Sequence, residues 1–216
     1  MKAALLTLFV LPVIAVADIP TVPGSLSPDG KIHAVMDVDR DPAISPKWND
    51  DSLPQIEVTE KEAGQVLVSI AYFGSPGDDE RPLRDHVRVS WRSDSRAFAI
   101  TIDDRFYSSS MVFAMNEDSK FVSVSFPSYQ IMTGFPLPDS EHLRPRGRAT
   151  VEGWDKDDRL IYNLFAVPLP SLTGNDPLIH RIFLDVSADK MTHIKVEHEK
   201  GEWKNGDWIQ IEAEQD

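Results

Sequence analysis

Between Val87 and Ile102 the chain reads VRVSWRSDSRAFAITI, two apolar runs about a polar turn. Val87, Val89 and Trp91 alternate with Arg88 and Ser90, the period-two pattern of a half-buried strand. Ala97 to Ile102 is apolar at nearly every position, as expected of a strand covered on both faces. The spacing Trp91-x-x-Asp94-x-Arg96 recurs as Trp154-x-x-Asp157-x-Arg159 and, upstream, as Leu26-x-x-Asp29-x-Lys31. An apolar run follows each time, and the aspartates lie 65 and then 63 residues apart. Three copies in phase point to an internal repeat. Trp91 and Trp154 hold equivalent places in it, and both are expected to be largely buried, each worth about 3–5 kcal/mol on truncation to Ala.

Every copy carries a second hairpin. Its strand pairs are 55–59 with 66–70, 111–115 with 121–126, and 181–184 with 191–196. The turns fall at Glu62–Gly64, Asn116–Ser119 and Ser187–Asp189. Four strands per copy, joined as a meander, give an all-β fold of about three antiparallel repeats. Ser27-Pro28-Asp29-Gly30 suits a type I turn with Gly30 at positive φ; Ser95 and Asp158 stand at the same place and tolerate it less well. No amphipathic helix is apparent. Gln130–Arg146 has room for one helical turn before Pro136, Pro138 and Pro145 oppose more.

Met1–Ala17 has the layout of a secretory signal peptide. Lys2 precedes a mostly apolar stretch, and Ala15-Val16-Ala17 is a small-residue cleavage site before Asp18. The domain expected to remain is 18–216, large enough for one core. Its leader gone, the chain is one unit more acidic than the formal −13 of the whole sequence, which opposes binding to nucleic acid or an anionic membrane surface. No later segment is long and apolar enough for a membrane span. With no cysteine, neither a disulfide nor a thiolate metal site is available.

Leu26-Ser27-Pro28-Asp29-Gly30-Lys31, its apolar strand and the second hairpin together resemble the WD-like blade repeat of TolB-type β-propellers. The later copies keep the Trp, the Asp and the basic end. The resemblance implies four-stranded blades about an axis, yet three blades are fewer than a closed ring needs. Trp203-Lys204-Asn205-Gly206-Asp207-Trp208-Ile209-Gln210-Ile211 is similar to the start of a fourth copy, with Asn205-Gly206 as a hairpin turn. As a closing hairpin it would pair with the N-terminal segment, or with a second subunit in a homo-oligomer that completes the propeller.

The long connections are near 38–54, 103–110 and 168–179, and the links between copies are 73–86 and 127–148. In a meander all five leave from one end of the strands, so binding residues are sought there. The link 127–148 gathers Tyr129, Phe135, His142, Arg144, Arg146 and Arg148, aromatic and basic in an acidic chain, suited to an anionic or carbohydrate ligand. A packed cap over a sheet edge would use the same residues.

Asp37-x-Asp39-x-Asp41 begins like a calcium loop, but Pro42 and Trp48 stand where an EF-hand needs Gly and Glu; a looser site with Asp50 and Asp51 remains open. His193 and His198 fall on opposite strand faces, so they are not read as a metal pair. Ser187-x-x-Lys190 matches a nucleophile motif but lies in a hairpin turn, and elbow, zincin and P-loop patterns are absent. No catalytic residue, metal or cofactor is assigned. The expected function is an exported binding or interaction module for a protein or carbohydrate partner. The alternative is a secreted hydrolase using a carboxylate pair on glycans. If the leader is cleaved, N-terminal sequencing of protein secreted with its own leader should begin at Asp18; recovery of the intact Met1 form from the membrane would contradict it.

Overall fold

A computed structural model of the chain describes residues 21–36, 54–72, 83–103, 108–134, 149–166, 178–204 and 207–214. Three antiparallel meanders account for nearly all of them. The first sheet holds β1 (Ile32–Met36), β2 (Gln55–Glu60) and β3 (Val66–Ala71) in chain order. The second holds β4 (Val87–Trp91), β5 (Ala97–Asp103), β6 (Ser108–Met115) and β7 (Phe121–Val124). The third holds β8 (Ala149–Trp154), β9 (Leu160–Ala166), β10 (Leu178–Val186), β11 (Met191–Lys204) and β12 (Asp207–Glu214). The fold is all-β and built on a repeated meander. Among the described residues it forms neither a closed barrel nor a closed propeller.

The middle sheet has core on both sides. Phe98, Ile100 and Ile102 of β5 join Ile32, Ala34, Met36, Ile56, Val58 and Ile70 in a first apolar cluster. The intervening Ala97 and Ala99 join Leu160, Tyr162, Ile182 and Leu184 in a second. Large residues therefore face one neighbouring sheet and small residues the other, the consequence of a side-chain period of two in a strand buried twice. Phe98 centres the first cluster, its ring 4.7 Å from Trp91, 5.1 Å from Phe113 and 5.0 Å from Phe121.

The sheets are also tied along one end by bonds that repeat with the sequence. The Trp91 indole N–H donates to the Ser25 carbonyl at 2.8 Å, and the Trp154 indole N–H to the Ser90 carbonyl at 3.1 Å. Each indole thus reaches back to the residue before the equivalent position of the preceding copy. Both side chains are half-buried against the clusters, not within them. The expectation of largely buried tryptophans is therefore corrected. A buried indole N–H needs an acceptor, and at the sheet margin the neighbouring backbone supplies one.

The turns follow the same rule. Gly30, Ser95 and Asp158 have φ of 75°, 60° and 59°. Ser95 Oγ accepts from the Asp29 backbone N–H at 3.1 Å, and Asp158 accepts from the N–H and hydroxyl of Ser93 at 3.3 and 3.0 Å. Where the later copies replace glycine, the side chain that strains the backbone also grips the preceding turn. The third turn corrects one alignment: Asp155, not Asp157, accepts from the Asp157 and Arg159 N–H groups, at 2.8 and 3.0 Å.

Two copies depart from four strands. Among the described residues the first sheet has three, and a bridge from Thr21 to Val35 stands in for the fourth. Ser25 Oγ donates to the Ala34 carbonyl at 3.1 Å and accepts from its N–H at 3.0 Å, while Ser27 Oγ accepts from the Ile32 N–H at 2.9 Å. Hydroxyls here do the work of a neighbouring strand's backbone. The third sheet has five strands, because β12 pairs along β11, with Trp203 opposite Trp208. The C-terminal hairpin pairs Lys204 with Asp207, on either side of the Asn-Gly pair. Its partner is the adjoining strand, so it enlarges the third sheet instead of founding a fourth.

If the clamp holds the sheets together, Trp154→Phe, which keeps the ring and removes the donor, should cost about 1 kcal/mol in denaturant unfolding. Asp155→Ala should cost about as much and Asp157→Ala much less. A double-mutant cycle between Ser93→Ala and Asp158→Ala should show coupling of roughly 0.5–1.5 kcal/mol. Additivity in that cycle would show that the contact carries no energy.

Candidate site at the loop end

Antiparallel order puts the connections after β1, β3, β5, β7 and β9 at one end of the sheets and the Ser95-type turns at the other. Among the described residues, the turn end holds the carboxylates with a shifted pKa. The Ser27 hydroxyl, with the Lys31 N–H, lowers the Asp29 pKa. Burial works to raise Asp94, but two bonds from Arg92 at 2.8 and 2.9 Å outweigh it and the pKa falls. Asp155 is likewise lowered, burial being outweighed by the Arg159 and Asp157 amides. These are acceptors locked into turns. Their ionised form is favoured, which suits structure and not proton donation.

The loop end differs. A helical turn, α1 (Tyr129–Thr133), lies in the link between the second and third sheets and packs over β10 and β11. Ser128 caps it, its hydroxyl accepting from the Ile131 N–H at 3.4 Å, and Gly134 ends it at φ 76°. Met132 enters the second apolar cluster. The Tyr129 ring stands edge-on to His180, 6.2 Å between centroids.

His180 is 1% exposed, and its Nδ1 lies 2.8 Å from the Nδ1 of His198 on the next strand. Register places these histidines directly opposite each other. One ring must present Nδ1–H and the other a lone pair for that contact to be a hydrogen bond. Burial, then the neighbouring His198, push the His180 pKa down to about 4. Burial also raises the Tyr129 phenol. On the second sheet at this end, His86 Nδ1 lies 3.2 Å from the Asp103 carbonyl, and Arg88 pairs with Asp103 at 2.9 Å.

Tyr129 is thus placed at the loop end, half-buried against His180. Phe135, His142, Arg144, Arg146 and Arg148 lie outside the described residues, as do the Asp37–Asp41 and Asp50–Asp51 loop and the leader. The sequence pattern does not show the histidine pair: it sets His198 against His193, five residues along its own strand, whereas its partner is across the sheet. A bulge displaces His193 as well: register sets it opposite Leu184, while Lys195 faces Phe183. The Ser187-x-x-Lys190 match is a turn, Ser187 Oγ donating to the Lys190 carbonyl at 3.0 Å.

Among the described residues no three His, Asp or Glu side chains gather as a metal site, and no helix is long and apolar enough to cross a membrane. Comparison with protein-family models, curated proteins and solved structures finds no match.

Proposed function

We propose that the protein is an exported binding or interaction module that meets its partner with the loop end of the stacked sheets. The observation that carries the proposal is the reach of β11. The first residue of β10, Leu178, pairs with Lys200, so Gly201–Lys204 have β12 as their partner strand. A two-stranded ribbon therefore runs past the end of β10 at the end where the long connections depart. A ribbon and loops on a rigid sheet stack form a recognition surface whose scaffold need not change to bind. Tyr129 lies at this end, and the basic and aromatic residues of the 127–148 link follow it in sequence; both suit an anionic or carbohydrate group. The TolB-type blade resemblance belongs to the same reading, as a likeness of repeat unit.

The turn-end aspartates are not suited to serve as the acid of a glycan hydrolase. The described aspartates with shifted pKa are all lowered and lie in the turns, whereas a hydrolase needs one carboxyl raised to act as acid. The test uses the protein on a glycan array, with product analysis on the same glycans. Retention without turnover, weakened at least tenfold by Tyr129→Ala or Arg144→Ala and unchanged by Asp118→Ala at the turn end, is the expected result. Turnover of any glycan would move the assignment to a hydrolase. For a protein partner, photo-cross-linking from position 204 but not from position 118 is expected, and the reverse would overturn the proposal.

A further inference from the structure

The His180–His198 contact sits beneath α1, and its geometry is particular. Two imidazoles joined Nδ1 to Nδ1 at 2.8 Å share one proton between those atoms. With both rings protonated, two N–H groups and two positive charges would be set against each other in a site where His180 is 1% exposed. Water cannot dilute that repulsion there unless the cover moves. The cover is α1, whose Tyr129 ring lies edge-on to His180 and whose Met132 completes the apolar cluster below.

We infer that this histidine pair makes the docking of α1 on the third sheet acid-sensitive, closed at neutral pH and released as both rings become protonated. The inference stands apart from the binding proposal, since it concerns only how the helical turn is held. The groups around the pair permit it. From α1 the one titratable side chain is Tyr129, neutral throughout the acid range. On β9 the register partner of His180 is Leu164, and on β10 the same-face neighbour is the buried Ile182. On β11 the neighbours two positions away are Val196 and Lys200, and on β12 register sets Glu214 across from His198.

The sign follows from linkage. His180 has its pKa held near 4 when covered, and an opened site would return it toward 6.5. The open form then binds more protons between those values, so the docked form loses relative stability as pH falls from about 6.5 to about 4. Between pH 7.5 and pH 5 the opening equilibrium should rise roughly 30-fold.

Hydrogen exchange on the full chain reads this directly. The Met132 and Gly134 amides, which donate to the Ser128 and Gln130 carbonyls at 3.0 and 2.9 Å, should lose protection at pH 5 after correction for intrinsic rates. The Ala99 and Ile100 amides of β5 should not. His180→Phe, which keeps a ring and removes the protonatable nitrogen, should hold α1 protected at pH 5, and His198→Gln should at least halve the response. Equal protection of wild-type α1 at both pH values, or an unchanged response in both variants, would overturn the inference. Should the variants fail to fold, nitrogen NMR of the wild-type imidazoles decides: protonation must track α1 exchange, and release without imidazole protonation would sink the idea.

Discussion

The middle sheet is buried from both sides, and the other two sheets take their positions from its two faces. β5 presents Phe98, Ile100 and Ile102 to the first sheet and Ala97 and Ala99 to the third. Swapping those sizes would leave a void on one side and a clash on the other, because interiors pack at near-crystalline density. The neighbouring strands match this division. β2 brings Ile56 and Val58 to the aromatic side, and β10 brings Ile182 and Leu184 to the alanine side. Among the described residues, each apolar cluster joins one outer sheet to the middle one.

On this apolar stack the polar clamp imposes direction. Both tryptophans and both left-handed side chains, at Ser95 and Asp158, reach back to the copy before. The first copy carries Leu26, 50% exposed, at the tryptophan position and Gly30 at the left-handed one. Gly30 adopts its φ of 75° without the penalty that Ser95 and Asp158 incur, and those two offset the penalty with a bond. Arg92 adds a link of another kind, donating to the Val186 carbonyl at 2.9 Å while holding Asp94.

The clamp and the candidate site occupy opposite ends, and their chemistry divides accordingly. At the turn end, aspartates are ionised and saturated with backbone amides and arginine, so they resist change. At the loop end, a histidine pair sits under a single helical turn that carries a half-buried tyrosine, and there protonation has somewhere to act. Rigid turns at one end leave the other free to carry connections of very different length, from the four residues between β5 and β6 to the twenty-four between β7 and β8.

The sequence by itself determined the strands, the turns and the repeat. Period-two alternation reports which residues share a face, and the Asp-containing turns recur at a spacing that needs no structure to see. It also showed that β5 would be covered twice, and that one helical turn was the most the proline-rich link could hold. What it could not determine was anything that depends on register or on contact between copies. The half-burial of Trp91 and Trp154 is set by carbonyls more than sixty residues away, and Asp155 displaced Asp157 because the third turn is one residue tighter. The pairing of His180 with His198 was invisible for the same reason. A bulge in β11 and the hairpin geometry of β10 and β11 decide which residues face each other, and a side chain's partner across a sheet leaves no trace in its local pattern.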